Sequence, residues 1–126
     1  MSGERLRVLL VEDSAAMRSF VTAALEQGGP FEVTTAASGF DALRVLPRAQ
    51  FDVIITDINM PDINGLELVK FVRESEKHKG TPLVLISTDS RAADRERGLK
   101  LGADAYVVKP FDPQQLIEVV TQVVNR

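Results

Sequence analysis

The chain reads as an α/β domain: a doubly wound, open sheet of five parallel strands with five helices. Three observations predict it. Short apolar runs alternate five times with longer segments of helical period. Three of the runs are apolar almost throughout, as strands covered by helices on both faces are. The connections are short and carry Gly and Pro, so each strand passes to the next through a right-handed crossover.

LRVLLV at 6–11 is the first strand. Met17, Phe20, Val21, Ala24 and Leu25 then recur at i, i+3, i+4, i+7 and i+8, one face of a helix that QGG at 27–29 stops. FEVTTA at 31–36 is the second strand, and Leu43 and Leu46 mark a second helix ended by Pro47. FDVIIT at 51–56 is the third strand, with Leu68 and Val72 marking a helix after Gly65. PLVLIS at 82–87 is the fourth. The helix after it, RAADRERGLKLG at 91–102, is weakly amphipathic and contains Gly98, so it is expected to be the least firmly held. Thr88 and Asp89 are placed to cap it. AYVV at 105–108 closes the sheet. Leu116, Val119, Val120 and Val123 mark the last helix after Pro113, with Ile117 and Val124 widening its apolar stripe. His78, in SEKHKG, has no acidic or hydroxyl partner in register and reads as a solvated loop residue.

The 126 residues suit one domain, taken as 1–126 with no output domain, and bury roughly two thirds of the unfolded surface. The net charge of −3 has both signs interspersed. That excludes the basic field needed to hold nucleic acid or anionic lipid and points to proteins or small anions as partners. Cysteine is absent, which excludes disulfides and thiolate metal sites. No stretch approaches the roughly 20 apolar residues of a membrane span, and the N-terminal run is too short for a signal peptide, so a cytoplasmic location is expected.

In a doubly wound sheet, ligands bind outside the carboxyl ends of the strands. Those ends are chemically loaded. The first strand runs into Glu12-Asp13, the third into Asp57, the fourth into Ser87-Thr88, and the fifth into Lys109-Pro110. If the first and third strands are neighbours, three carboxylates meet in one crevice beside a hydroxyl and an ammonium. Carboxylates that close raise one another's pKa unless a cation lies among them. Oxygen ligands select a hard ion, and Mg²⁺ suits a site of few protein carboxylates completed by water and phosphate oxygens. A carboxylate can itself attack phosphorus to give an aspartyl phosphate, and Asp57 is central enough to do so.

VEDSAAMR at 11–18, DINMPDINGLEL at 57–68, LIST at 85–88 and GADAYVVKPF at 102–111 together resemble the response-regulator receiver domain, of the single-domain chemotaxis type, over the whole chain. The resemblance implies a flavodoxin-like strand order 2-1-3-4-5. It also implies that Asp57 accepts the phosphoryl group, Asp13 binds Mg²⁺ directly, Glu12 binds it through water, and the backbone carbonyl of Asn59 is a further ligand. Ser87 and Lys109 would contact the phosphoryl oxygens, Ser87 and Tyr106 would form the switch, Asn59 and Asp89 would modulate the lifetime of the modified state, and a cis peptide bond would precede Pro110. The implied partners are a histidine kinase and a target protein on the face made by helix four, strand five and helix five, with the chain a monomer. Glu12 stands where aspartate is common, Ser87 where threonine is commoner, and Ile58 where well-known chemotaxis regulators carry tryptophan.

Two other functions use similar residues. A phosphorelay intermediate would pass the group on to a histidine phosphotransfer domain with the same site. A haloacid-dehalogenase-like phosphohydrolase needs a second aspartate where Asn59 stands, and has its acidic pair late in the chain, whereas Glu12-Asp13 comes first.

Overall fold

A computed structural model describes residues 5–88 and 92–125. The elements are β1 (Leu6–Val11), α1 (Ala15–Gly28), β2 (Phe31–Ala36), α2 (Gly39–Val45) with a 3-10 turn at Leu46–Arg48, β3 (Val53–Asp57), α3 (Gly65–Glu74), β4 (Leu83–Ser87), α4 (Ala92–Leu101), β5 (Ala105–Val108) and α5 (Pro113–Val124). All four strand pairings are parallel and the order is β2-β1-β3-β4-β5. No described helix is long and apolar enough to cross a membrane.

The alternating faces of the strands explain their apolar composition. Leu9, Val11, Ile54, Leu83 and Leu85 pack with Ala42 of α2 and Leu68, Val69 and Val72 of α3. Val8, Leu10, Val53, Ile55, Val84 and Ile86 pack on the opposite side with Val21 and Leu25 of α1 and Leu116, Val120 and Val123 of α5. Each fully buried Leu or Ile stabilises the fold by about 1.5–3 kcal/mol.

Four helices begin with a side-chain cap two to seven residues after a strand ends. The caps are Ser14 on Met17 N, Ser38 on Asp41 N, Asn64 in a reciprocal capping box with Glu67, and Asp112 on Gln115 N. The loops that carry the site are therefore held at both ends.

Several sequence expectations need correction. β3 starts at Val53 and extends to Asp57, because Asp52 instead turns its carboxylate onto Arg7 N, at 2.7 Å. β4 starts after Pro82, which has no N–H to donate. The second α-helix ends at Val45, and Pro47 sits inside the 3-10 turn that follows. His78 is not solvated. It is 1% exposed, its Nε2 lies 2.6 Å from the carbonyl oxygen of Leu46, its ring stands beside Phe51, and Nδ1 has no partner. The partner is a backbone carbonyl 32 residues away, which side-chain pattern alone does not reveal. Gly98 has a packing reason that its sequence context did not show: a Cβ there would lie 2.5 Å from Leu85 Cδ1, so the missing side chain lets the helix close on β4.

Arg73 joins three segments at the edge opposite the acidic crevice. Its Nε donates to Gly102 O at 2.9 Å, Nη1 to Lys79 O at 3.2 Å and Thr81 O at 2.8 Å, and Nη2 pairs with Asp104 Oδ2 at 3.2 Å. Asp104 in turn accepts from Leu83 N at 2.8 Å. Arg73→Ala strips three carbonyls and a half-buried carboxylate of their donor. It is expected to lower stability by about 2–3 kcal/mol, read as a fall in the urea midpoint at unchanged slope. A change within 0.5 kcal/mol would show that solvent takes over these contacts.

Candidate functional site

The strand ends meet as the topology requires. β1 and β3 are neighbours, so Glu12, one residue past β1, faces Asp57, the last residue of β3. Glu12 is 0% and Asp57 5% exposed, whereas Asp13 in the following turn is exposed. Carboxylate oxygens of all three lie within 4.8 Å of one another.

Lys109, just past β5, answers why a buried strand ends on a charge. Its Nζ lies 2.9 Å from Glu12 Oε1 and 3.1 Å from Asp57 Oδ2, so one ammonium bridges two buried carboxylates. The Lys109–Pro110 peptide bond is cis. The backbone holds Lys109 in place, its N–H donating to Ser87 O at 2.7 Å.

The remaining oxygens differ in availability. Glu12 Oε2 accepts from Ser14 N at 3.1 Å, so both oxygens of that carboxylate are engaged. Among the described residues, Asp57 Oδ1 has only a long 3.3 Å contact from Asn59 N. Asp13 makes no hydrogen bond among the described residues, and its carboxylate is open to solvent. An incoming hard cation therefore finds Asp13 and Asp57 available and Glu12 occupied, and the donor set is oxygen throughout, as Mg²⁺ prefers.

Burial pushes the Glu12 carboxyl above its ordinary 4.5, against hydrogen bonds from Lys109 and Ser14 N; the charge on Asp57 pushes it the same way as burial. Burial alone would lower Lys109, but the hydrogen bonds to Glu12 and Asp57 and their charges outweigh it and raise the ammonium above 10.5. The crevice holds two negative charges against one fixed positive one, with a third carboxylate at its rim.

Ser87 ends β4, is fully buried, and stands one step past Ile86, the register partner of Asp57. Tyr106 is half-buried on β5 opposite Leu85 and packs on the α2–α3 side of the core. Asn59 is exposed in the loop after Asp57. Asp89 lies outside the described residues, so neither its capping nor its lifetime role has a structural counterpart.

Sequence reasoning missed three supports. Gly65 packs against the strand carrying Asp57, where a Cβ would be 2.4 Å from the Asp57 carbonyl oxygen, and its N–H donates to Ile58 O at 2.8 Å. Its place after Asn64 signalled only a helix start. Arg18 donates from Nη1 to Glu12 O at 2.9 Å, fixing the turn that presents the acidic pair. Asp62 accepts from Gly39 N and Phe40 N, at 3.2 and 2.9 Å, and so ties the β3–α3 loop to the start of α2. Those bonds, that from Phe40 first, hold its carboxyl at about 2.

Comparison with known proteins gives a consistent set of relatives. The response regulator receiver domain family matches residues 8–121. A chemotaxis protein CheY homolog of Campylobacter jejuni is 38% identical over 121 residues, 95% of this chain and 93% of that protein. The chemotaxis response regulator CheY4 of Vibrio cholerae has a similar structure, with a TM-score of 0.89 and 39% identity over 94% of this chain and 98% of that one. So does the receiver domain of a Pseudomonas aeruginosa sensor histidine kinase with a magnesium ion coordinated in its active site cleft, at a TM-score of 0.87 and 27% identity over 97% and 99% of the two chains.

Proposed function

Because the chain belongs to the response regulator receiver domain family, we propose that it is a phosphorylation-operated signalling module of the chemotaxis type in which Asp57 accepts a phosphoryl group from a histidine kinase. The observation that carries this is the ammonium of Lys109 held between Asp57 and Glu12, with Asp13 open beside them. The receiver domain, matched over residues 8–121, acts in the cytoplasm as a signalling protein rather than a turnover enzyme. The early position of Glu12-Asp13 and the asparagine at 59 set the phosphohydrolase reading aside.

An Asp57 carboxylate oxygen attacks phosphorus of a phosphohistidine. The O–P bond forms, the P–N bond breaks, and the imidazole leaves with the electron pair and takes a proton. Bound Mg²⁺ neutralises the transferred group. Asp13, Asp57 and the Asn59 carbonyl would hold it directly and Glu12 through water; the Pseudomonas receiver domain, with a magnesium ion coordinated in its active site cleft, supports the choice of ion. Lys109 exchanges its Asp57 contact for a phosphoryl oxygen, and the Ser87 hydroxyl meets another. The test is intact mass after incubation with Mg²⁺ and acetyl phosphate. One added phosphoryl group, absent without Mg²⁺, is expected; none under either condition would overturn the reading.

The metal assignment makes a separate prediction. Asp13→Ala should weaken Mg²⁺ binding about tenfold or more, and Glu12→Ala less, since a direct ligand outweighs one acting through water. Equal losses in a titration would show the two roles wrongly divided.

The signal leaves through β4. Ser87 and Leu85 lie on the same face of that strand, Leu85 closes on Gly98 of α4, and Tyr106 is its partner on β5. A phosphoryl group adds roughly −1.5 to −2 charges. Drawing the Ser87 hydroxyl inward makes room for Tyr106, which reshapes the α4–β5–α5 face for a target protein. Structures with and without a phosphoryl mimic and Mg²⁺ should show Tyr106 more buried in the former. One rotamer in both, with a target that still discriminates, would move the switch to α4.

A further inference from the structure

Away from the acidic crevice, one cleft carries the opposite charge to the protein as a whole. It lies beside the free edge of β2, between α1 and α2, has a volume of about 440 Å³, and is lined by Arg18, Thr35, Asp41, Arg44 and Arg48 together with small apolar residues. Three guanidiniums from three different elements therefore border one compact space. Its only acid, Asp41, is already paired with Arg44, so three positive charges less one negative leave the cleft at +2 in a chain of net −3.

The donors are partly fixed in place. Arg18 is half-buried and anchored by its bond to Glu12 O, at 2.9 Å. Arg48 has no hydrogen bond or ion pair among the described residues. β2 pairs only with β1, and Val33 N, on the outer edge, is taken by Glu26 Oε2 at 3.0 Å. Thr35, two residues further, turns its N–H to the same edge inside the cleft.

We infer that this cleft binds a small polyanion bearing phosphate groups, with Arg18, Arg44 and Arg48 as its cations and the Thr35 N–H as a backbone donor. Guanidinium forks match phosphate oxygens bidentately, and the volume falls in the range of small-ligand sites. A strand-adding acidic peptide would need the length of the β2 edge. Its first half is closed by Arg5, whose Nη1 donates to Phe31 O at 2.9 Å, and by Glu26. The site uses none of the residues that accept the phosphoryl group, so it stands or falls independently of that reaction.

The test is a titration with inorganic pyrophosphate in magnesium-free buffer of low ionic strength, followed by amide chemical shifts. Saturable shifts are expected at Thr35, Ala36, Ala37 and Arg48. Arg48→Gln should weaken binding about tenfold, the loss of one charge-assisted contact. Arg44→Gln should weaken it further because it also releases the Asp41 charge. Arg95→Gln, exposed on α4, should bind as the parent protein does. Unsaturable shifts, shifts centred on Lys109, or saturable binding indifferent to both Arg44→Gln and Arg48→Gln would overturn the inference. So would binding of a poly-glutamate peptide at these residues in place of pyrophosphate.

Discussion

Asp57→Asn is expected to abolish the proposed phosphoryl acceptance while leaving the fold intact. The substitution keeps the shape of the side chain at the end of β3 but replaces an anionic oxygen with an amide, which is no nucleophile toward phosphorus; a rate lower by at least ~10³ is expected from loss of the nucleophile alone. Stability in the absence of Mg²⁺ should not fall. Asp57 is 5% exposed and its charge adds to the burial that raises Glu12, so removing it relieves a repulsion while Lys109 keeps Glu12 as a partner. Mg²⁺ affinity should drop with the loss of a ligand. Intact mass in acetyl phosphate and Mg²⁺ reads the first effect and urea unfolding the second. A variant that gained the phosphoryl group at the parent rate would place the acceptor elsewhere, with the exposed Asp13 first in line.

The strand ends were the legible part of this site because chemistry there is local. A parallel strand buried on both faces has few reasons to run into an acid, so Glu12, Asp57 and Lys109 each stood out at the end of an apolar run. Their meeting followed once β1 and β3 were adjacent, and that adjacency came from the family resemblance rather than from periodicity. β1, β2 and β5 begin and end where the alternation of residues places them. β3 does not. Phe51 is apolar and 7% exposed but lies outside the strand, where the Arg7 guanidinium stands over its ring.

What stayed hidden depends on contacts between backbone atoms or between distant segments. His78 is buried by a carbonyl from the 3-10 turn after α2, and Arg73 by carbonyls of two loops. Gly98 and Gly65 matter for the atoms that a Cβ would displace, Leu85 Cδ1 in one case and the Asp57 carbonyl in the other. A glycine in a helical pattern signals flexibility and close approach alike, so sequence could not choose between them. Arg18 and Asp62 act on backbone groups of neighbouring loops and form no motif with their targets.

Lys109→Ala should lower stability by about 3–5 kcal/mol at neutral pH without Mg²⁺, because it leaves Glu12 and Asp57 buried together with no cation between them. The pH dependence gives the prediction its particular signature. Glu12 is already raised above 4.5 in the folded protein, so what its protonated form contributes to stability is fully present below 4.5 and is lost as pH rises through the folded value. Removing Lys109 takes away a hydrogen bond and a charge that lower Glu12, which raises it further and widens the window over which stability is lost. The gap between variant and parent should therefore be smallest near pH 4.5 and grow toward neutrality. Mg²⁺ tests the same charge balance from the other side. An ion held by Asp13 and Asp57 restores positive charge beside both buried carboxylates, so saturating Mg²⁺ should stabilise Lys109→Ala more than the parent protein and narrow the gap at neutral pH. Urea unfolding at acid and neutral pH, with and without Mg²⁺, measures all four values. A gap that ignored both pH and Mg²⁺ would mean that the loss comes from packing of the lysine stem, and the ammonium would then have no part in holding Glu12 and Asp57 together.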